Sequence, residues 1–204
     1  MAAGSAEPFV PGTSSLRVLA EAAARCEGCS LYRDATQTVF GAGPASARLV
    51  LVGEQPGDVE DRRGRPFVGP AGAVLWACVD EAGVARDTLY ATNAVKHFKH
   101  VVRGTRRIHK KPGTGEVTAC HPWLEAEVRA VRPAVVVALG ATAARAVLGR
   151  PVGIAASRHV VHEAMGASVV VTYHPSAVLR ADERAAEVRA ALVEDLARAA
   201  DLAG

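Results

Sequence analysis

The feature that most limits how this chain can fold is a buried strand followed by a long loop and a helix. Residues 48–52 (RLVLV) form a short apolar and β-branched run, which is typical of a buried strand. Residues 53–72 (GEQPGDVEDRRGRPFVGPAG) are rich in glycine and proline, and residues 71–84 then carry apolar side chains at helical spacing. In open α/β sheets, ligands bind in loops at the carboxyl ends of strands. We therefore expect a functional site in this loop, beginning at Glu54, although a solvated acidic turn would give the same local pattern.

The other apolar segments predict further strands and helices of the same α/β type. Strands are expected at residues 88–95 (TLYATNAV), 133–139 (PAVVVAL), 160–163 and 168–173, with a possible edge strand at 36–40. Helices are expected after Ser14 or Ser15 and over residues 117–131, 140–148 and 184–202. Residues 96–116 show no regular pattern, and so long a loop needs either a function or disorder as its explanation.

Length and composition favour a single globular domain. A chain of 204 residues can bury a full core. We expect residues 1–14 to be a flexible lead-in and residues 15–204 to form one domain. No apolar run is long enough to cross a membrane, and the N-terminus lacks a basic region followed by an apolar one. The sequence thus predicts a cytoplasmic protein whose four cysteines do not form disulfides.

Positive charge is concentrated in one segment. Residues 96–111 contain seven lysines and arginines and no acidic residue, whereas the remaining 17 basic residues face 21 acidic ones. A basic segment on an otherwise mildly acidic protein indicates a polyanionic partner. A solvated flexible loop would also account for it.

Polar side chains stand at the carboxyl ends of several predicted strands. They include Glu54, Asn93 and His174. An Asn amide offers a donor and an acceptor, a His can donate to an oxygen that gains negative charge, and a carboxylate can stabilise a cation. Residues 26–29 (CEGC) follow the first helix and could bind a metal or an iron–sulfur cluster, or act as a redox pair.

Four short segments together resemble the motifs of the uracil-DNA glycosylase superfamily. The segments are residues 53–57 (GEQPG), 66–72 (PFVGPAG), 92–96 (TNAVK) and 174–180 (HPSAVLR). They occur in the family order, and the resemblance extends from about Cys26 to Arg180, most closely to the iron–sulfur (family 4-like) branch. It implies a three-layer α/β/α fold with a central four-stranded, mostly parallel sheet. It also implies a monomer that acts on uracil-containing DNA, single- or double-stranded, and needs no membrane.

The resemblance assigns roles to five residues of the expected base pocket. Glu54 corresponds to the motif carboxylate near the sugar, and Gln55 contributes to the pocket through its backbone. Phe67 is expected to stack on a flipped uracil and Asn93 to pair with its polar edge. His174 is expected to stabilise the uracil anion as it leaves. These roles suit an enzyme that must extrude its target base from the duplex.

The resemblance also implies a [4Fe–4S] cluster. Its members hold the cluster with four cysteines, and here a histidine stands where the third is expected. The expected ligands are Cys26, Cys29, His97 and Cys120. Three cysteines and one histidine could also bind zinc, and His100 is a less favoured substitute for His97. Cys78 lies in the middle of a predicted helix, and we expect it to pack in the core.

The basic segment departs from the usual family pattern. Together with His97, its insertion (RRIH) is similar to the UdgX-type branch, whose hallmark is a permanent covalent bond to uracil-containing DNA. The resemblance makes His109 the residue that forms this bond, and the neighbouring cations are expected to keep its imidazole neutral. The residues expected to contact DNA are Arg106, Arg107, Lys110, Leu179 and Arg180. An ordinary hydrolytic glycosylase and a non-catalytic DNA-binding protein of the same fold are the alternatives.

Overall fold

The strand predicted at residues 48–52 lies inside a mixed five-stranded sheet. The computed structural model describes residues 4–204. The strands of this sheet are β1 (Leu49–Gly53), β2 (Leu89–Asn93), β5 (Val135–Leu139), β6 (Val161–Ala164) and β7 (Ala167–Thr172). Their order is β2-β1-β5-β7-β6, and only β6 is antiparallel to its neighbour. The four parallel strands match the sheet that the resemblance implied, and β6, which matches the strand predicted at residues 160–163, adds an antiparallel edge strand.

Helices cover both faces of the sheet. They are α1 (Leu16–Ala23), α2 (Asp58–Arg63), α3 (Pro70–Glu81), α4 (Thr114–Val131), α5 (Ala141–Leu148), α6 (Ile154–Ser157) and α7 (Ala185–Ala203). Alternate residues of each strand point to opposite faces. Val50 and Val52 therefore pack with α1, α4 and α5, whereas Leu49 and Leu51 pack with α3 and α7. Cys78 of α3 is fully buried on the second face, so its predicted core position is confirmed.

The basic segment is partly ordered, and the prediction of a loop without regular structure was wrong there. It contains an antiparallel hairpin formed by β3 (His100–Arg103) and β4 (Arg106–His109). Gly104 has a φ of +59° in the two-residue turn, which is the geometry that tight hairpins require. The hairpin escaped prediction because arginine and histidine side chains interrupt the alternation expected of a strand.

Three smaller expectations concern the N-terminal part of the chain. Ser15 caps α1 by accepting a hydrogen bond from Val18, as predicted. Residues 36–40 do not form the possible edge strand. Just after them, the chain makes only an isolated bridge to β2, between Ala42 and Ala91. The expected flexible lead-in begins outside the described residues. In its described part, Ala6 is 1% exposed and donates its N–H to the carbonyl of Ala119.

None of the helices within residues 4–204 combines the length and the apolar character needed to cross a membrane.

Candidate active site

A cavity of about 770 Å³ opens at the carboxyl ends of the parallel strands. Its wall receives side chains from the loop after β1, the end of β2, the start of α5, the loop after β7 and the hairpin. Eight residues singled out in the sequence line it: Glu54, Gln55, Phe67, Asn93, His109, His174, Leu179 and Arg180. The topology brings these residues together, since parallel strands present their carboxyl ends at one edge of the sheet.

Asn93 and Phe67 form the base of the cavity, and Gly53 makes room for both. A Cβ at residue 53 would lie 2.3 Å from Asn93 Oδ1 and 2.7 Å from Phe67 Cζ, so only glycine fits there. Phe67 adopts a left-handed φ of +53°, and its carbonyl accepts a hydrogen bond from Trp76 Nε1, which restrains the backbone at this residue. Asn93 is 3% exposed, yet no side chain or backbone group within residues 4–204 hydrogen-bonds to its amide. A buried amide without a protein partner is poised to bind a ligand.

Hydrogen bonds fix the tautomer of His174. The backbone N–H of Ser176 donates to His174 Nδ1 at 3.2 Å, so Nδ1 is an acceptor. The Ser176 hydroxyl lies 2.7 Å from the same nitrogen and itself accepts a hydrogen bond from Arg180. Burial, with contributions from Arg180 and His109, lowers the pKa of His174 to about 4. At neutral pH the ring is therefore uncharged and carries its proton on Nε2.

Gln55 holds His109 against the mouth of the cavity. The Gln55 Oε1 atom accepts the N–H of Lys99, and Nε2 donates to the carbonyls of Lys99 and Lys110. Gln55 Nε2 also lies 2.8 Å from His109 Nε2, so its two protons are shared among three acceptors; because an amide nitrogen cannot accept, His109 Nε2 is the acceptor of this contact. The His109 lone pair is thus on Nε2, which lies 3.7 Å from Glu54 Oε1.

His109 is neutral for a different reason from the one expected. Burial lowers its pKa, Glu54 opposes this effect, and Arg180 adds to it. The cations next to His109 in the sequence are not among the causes, although they were expected to keep the imidazole neutral. The half-exposed imidazole can therefore act as a nucleophile at neutral pH.

Arg107, which was expected to contact DNA, binds groups of the protein itself and anchors the hairpin. Its guanidinium binds the Asp58 carboxylate, and Nη1 lies 2.6 Å from Asp61 Oδ2 and 2.9 Å from Thr36 Oγ1. The guanidinium also lies over the ring of Phe98. The Arg107 side chain is only 15% exposed, and four of its five N–H groups have partners within the described residues.

The other residues expected to contact DNA lie on the surface around the cavity. Arg106 and Lys110 are exposed on the hairpin and pair with no carboxylate within residues 4–204. Leu179 is 54% exposed at the cavity rim, beside the exposed Arg180. This combination of free cations and an exposed apolar side chain fits contact with a distorted duplex.

Several polar residues of the site were not identified from the sequence. Asp58 and Asp61 bind Arg107. Glu60 joins two parts of the loop after β1 by accepting the N–H groups of Gly57 and Gly69. The Thr142 hydroxyl donates a hydrogen bond to Glu54. The spacing of Asp58 and Asp61 on one helical face is the only sequence signal that indicated a shared partner.

Three of the four expected cluster ligands occupy one buried region. Burial raises the pKa of Cys120 to about 12, and the nearby Cys29 and Cys26 thiols contribute to this increase. Backbone N–H groups point at two of the sulfurs, from Gly28 to Cys26 at 3.4 Å and from Lys96 to Cys120 at 3.3 Å. N–H groups that stabilise thiolates are typical of iron–sulfur sites, so these residues fit a cluster.

His97 lies next to this region and is neutral, as a ligand must be. Burial lowers its pKa to about 4. Its Nε2 lies 2.9 Å from Thr38 Oγ1 in this arrangement. No three His, Cys, Asp or Glu side chains in the described part of the chain are arranged to hold a single metal ion.

Comparisons with known proteins point in one direction. The family model described as "Uracil DNA glycosylase superfamily" matches residues 40–197. A type-4 uracil-DNA glycosylase of Thermotoga maritima is 36% identical over 186 residues, which are 90% of this chain and 92% of the relative. One from Pyrobaculum aerophilum is 34% identical over 81% of this chain and 85% of its own length. One from Sulfurisphaera tokodaii is 37% identical over 62% of this chain and 54% of its own length.

Proposed function

Since the chain belongs to the uracil-DNA glycosylase superfamily, we propose that it excises uracil from DNA and then binds the abasic sugar covalently through His109. The observation that carries this proposal is the cavity itself. It contains a buried Asn amide without a protein partner, an aromatic ring, and two neutral histidines of defined tautomer. The relatives named above are uracil-DNA glycosylases, so the enzymatic activity follows from family and site together.

The pocket chemistry suits a uracil that has left the base stack. Phe67 provides a surface on which the base stacks, and Asn93 offers one donor and one acceptor to its O4 and N3–H groups. When the bond from C1′ to the base breaks, its electron pair stays on the uracil as an anion. The Nε2–H of His174 stabilises that anion by donating to its oxygen. Glu54 stabilises the positive charge that develops on the sugar.

Capture of the sugar requires one new bond. The lone pair of His109 Nε2 leaves its hydrogen bond with Gln55, attacks C1′ and forms a carbon–nitrogen bond. The ring is then a cation with a proton on Nδ1, and it can release that proton to water. The uracil anion takes up a proton from solvent. Because Gln55 holds Nε2 beside Glu54, the imidazole is positioned better than a free water molecule.

The relatives support the hydrolytic alternative, because they are named type-4 uracil-DNA glycosylases and their names mention no adduct. A denaturing gel of uracil-containing DNA separates the two functions. A shifted band that survives denaturant indicates the adduct, and DNA cleavage after alkali indicates a free abasic site. If neither appears, the protein only binds DNA, and both proposals fail.

We further propose that Cys26, Cys29, His97 and Cys120 hold a [4Fe–4S] cluster. When bound, the cluster would connect the segment after α1 to α4 and supply no group to the reacting sugar. It would also bring the start of the basic segment, at His97, against the core. None of the four residues lines the cavity, so a structural role is the one we expect.

Replacement of Cys120 by serine should remove the iron. The purified protein should be yellow-brown and contain about four irons per chain, as a [4Fe–4S] cluster requires. The variant should be colourless, because a cluster ligand is lost from a buried site. Cys78→Ala is the matched control, since Cys78 packs in the opposite core and should leave the iron content unchanged. A colourless wild-type protein with stoichiometric zinc would refute the cluster assignment.

Replacement of Asn93 by alanine should slow uracil excision by roughly a hundredfold or more, because the pocket loses the hydrogen bonds that hold and select the flipped base. The measurement is single-turnover release of uracil, with iron content as the test of folding. The wild-type protein should leave cytosine-containing DNA intact. A variant that excises uracil at the wild-type rate would show that Asn93 does not read the base.

A further inference from the structure

The two oxygens of the Glu54 carboxylate have different surroundings. Oε2 accepts a hydrogen bond from the Thr142 hydroxyl, and Oε1 lies 3.7 Å from His109 Nε2. Within residues 4–204, Thr142 is the only residue that hydrogen-bonds to this carboxylate. Thr142 is itself 7% exposed and lines the cavity.

The backbone at the start of α5 sets the position of Thr142. Gly140, with a φ of +86°, donates its N–H to the carbonyl of Thr172 and turns the chain directly from β5 into the helix. A Cβ at residue 140 would lie 2.9 Å from the Cβ of His174, so the turn can approach His174 only with glycine there. The first turn of α5 is thereby fixed beside Glu54 and His174, and the Thr142 hydroxyl in this turn points at the Glu54 carboxylate.

We infer that Thr142 is a positioning residue for the reaction, because it fixes the plane of the Glu54 carboxylate with Oε1 toward His109 and the sugar. The terminal torsion of a glutamate has broad minima, so an unrestrained carboxylate would rotate away from this orientation. Thr142 touches neither reacting atom and acts only through Glu54. The inference rests on the proposed function for the adduct, but it applies equally to uracil release, which also needs the oriented carboxylate.

The test compares Thr142→Val with Thr142→Ser. Valine keeps the shape of the side chain and removes the hydroxyl, whereas serine keeps the hydroxyl. A hydrogen bond to a charged group is worth roughly a tenfold to hundredfold change in rate, so the valine variant should slow both uracil release and adduct formation by about that factor. The serine variant should restore most of the rate. Thr118→Val is the matched control, since Thr118 is exposed on α4 and makes no side-chain hydrogen bond within the described residues.

Single-turnover rates at increasing protein concentration separate positioning from binding. We expect the valine variant to lower the maximal rate constant and to keep the half-saturating concentration and the melting temperature of the wild type. An unchanged rate constant, a change only in half-saturation, or a failure of serine to restore the rate would each overturn the inference. If the wild type releases uracil without forming an adduct, the proposal for His109 fails, and uracil release alone then decides the role of Thr142.

Discussion

Replacement of His109 by serine should abolish the covalent product and preserve uracil release. The residues proposed to bind the base and break its bond are Glu54, Phe67, Asn93 and His174, and serine at residue 109 leaves space for water to reach C1′. Positioning of a nucleophile can be worth on the order of 7 kcal/mol or more, so adduct formation should fall at least about a thousandfold. The product should then be a free abasic site. The measurement is a denaturing gel of uracil-containing DNA, read with and without alkali.

His100→Ser is the matched control for this experiment. His100 pairs with His109 across the hairpin and stacks on Phe98 at 4.8 Å, so it shares the surroundings of His109 but does not line the cavity. The control should retain the adduct. Persistent crosslinking by His109→Ser, or an adduct that mass spectrometry locates on another residue, would refute the assignment.

The fold could be predicted from the sequence because most of the parallel strands are rich in apolar and β-branched residues and helices separate most of them. The run from Val135 to Leu139 is typical of a strand buried on both faces. The hairpin could not be predicted in this way. Its strands are short and basic, and what holds them is distant in the sequence: Arg107 binds Asp61, and Gln55 binds Lys99 and Lys110.

The residues of the candidate site could be predicted from the sequence, but only some of the contacts among them could be. Glu54, Asn93 and His174 each follow or end a strand, and the topology of a parallel sheet brings such residues to one edge. The partner of Glu54, however, is 88 residues away at the start of a helix, where a threonine has many common roles. Similarly, nothing near Arg107 in the sequence showed that it would bind two carboxylates.

Replacement of Glu127 by glutamine should destabilise the protein by about 3–5 kcal/mol, the usual cost of leaving one partner of a buried ion pair alone. Glu127 and Lys96 have side chains that are 0% and 1% exposed, and they form an ion pair. The Lys96 ammonium also donates to Thr92 Oγ1 at 2.8 Å and to the Asn93 carbonyl at 2.6 Å, so all its protons are used. Glutamine keeps the shape of the side chain but removes the charge that Lys96 needs.

The same pair connects the thiol region to the base pocket, which gives the prediction a second consequence. The Lys96 N–H donates to Cys120 Sγ, whereas its side chain holds the carbonyl of Asn93. A weakened pair should therefore also reduce iron retention during urea titration. The measurement is the free energy of unfolding in urea, followed by circular dichroism and by the visible absorbance of the iron.

Glu21→Gln is the matched control, since it makes the same chemical change on a surface pair. The Arg17–Glu21 pair is exposed on α1, and pairs of this kind contribute little to stability. Its unfolding midpoint should match that of the wild type. Lys96→Met is the reciprocal variant and should be destabilised to a similar degree, because it leaves the Glu127 carboxylate buried without its cation. If both Glu127→Gln and Lys96→Met unfold at the wild-type midpoint, the buried pair does not stabilise the fold, and the link between the cysteines and Asn93 has no energetic basis.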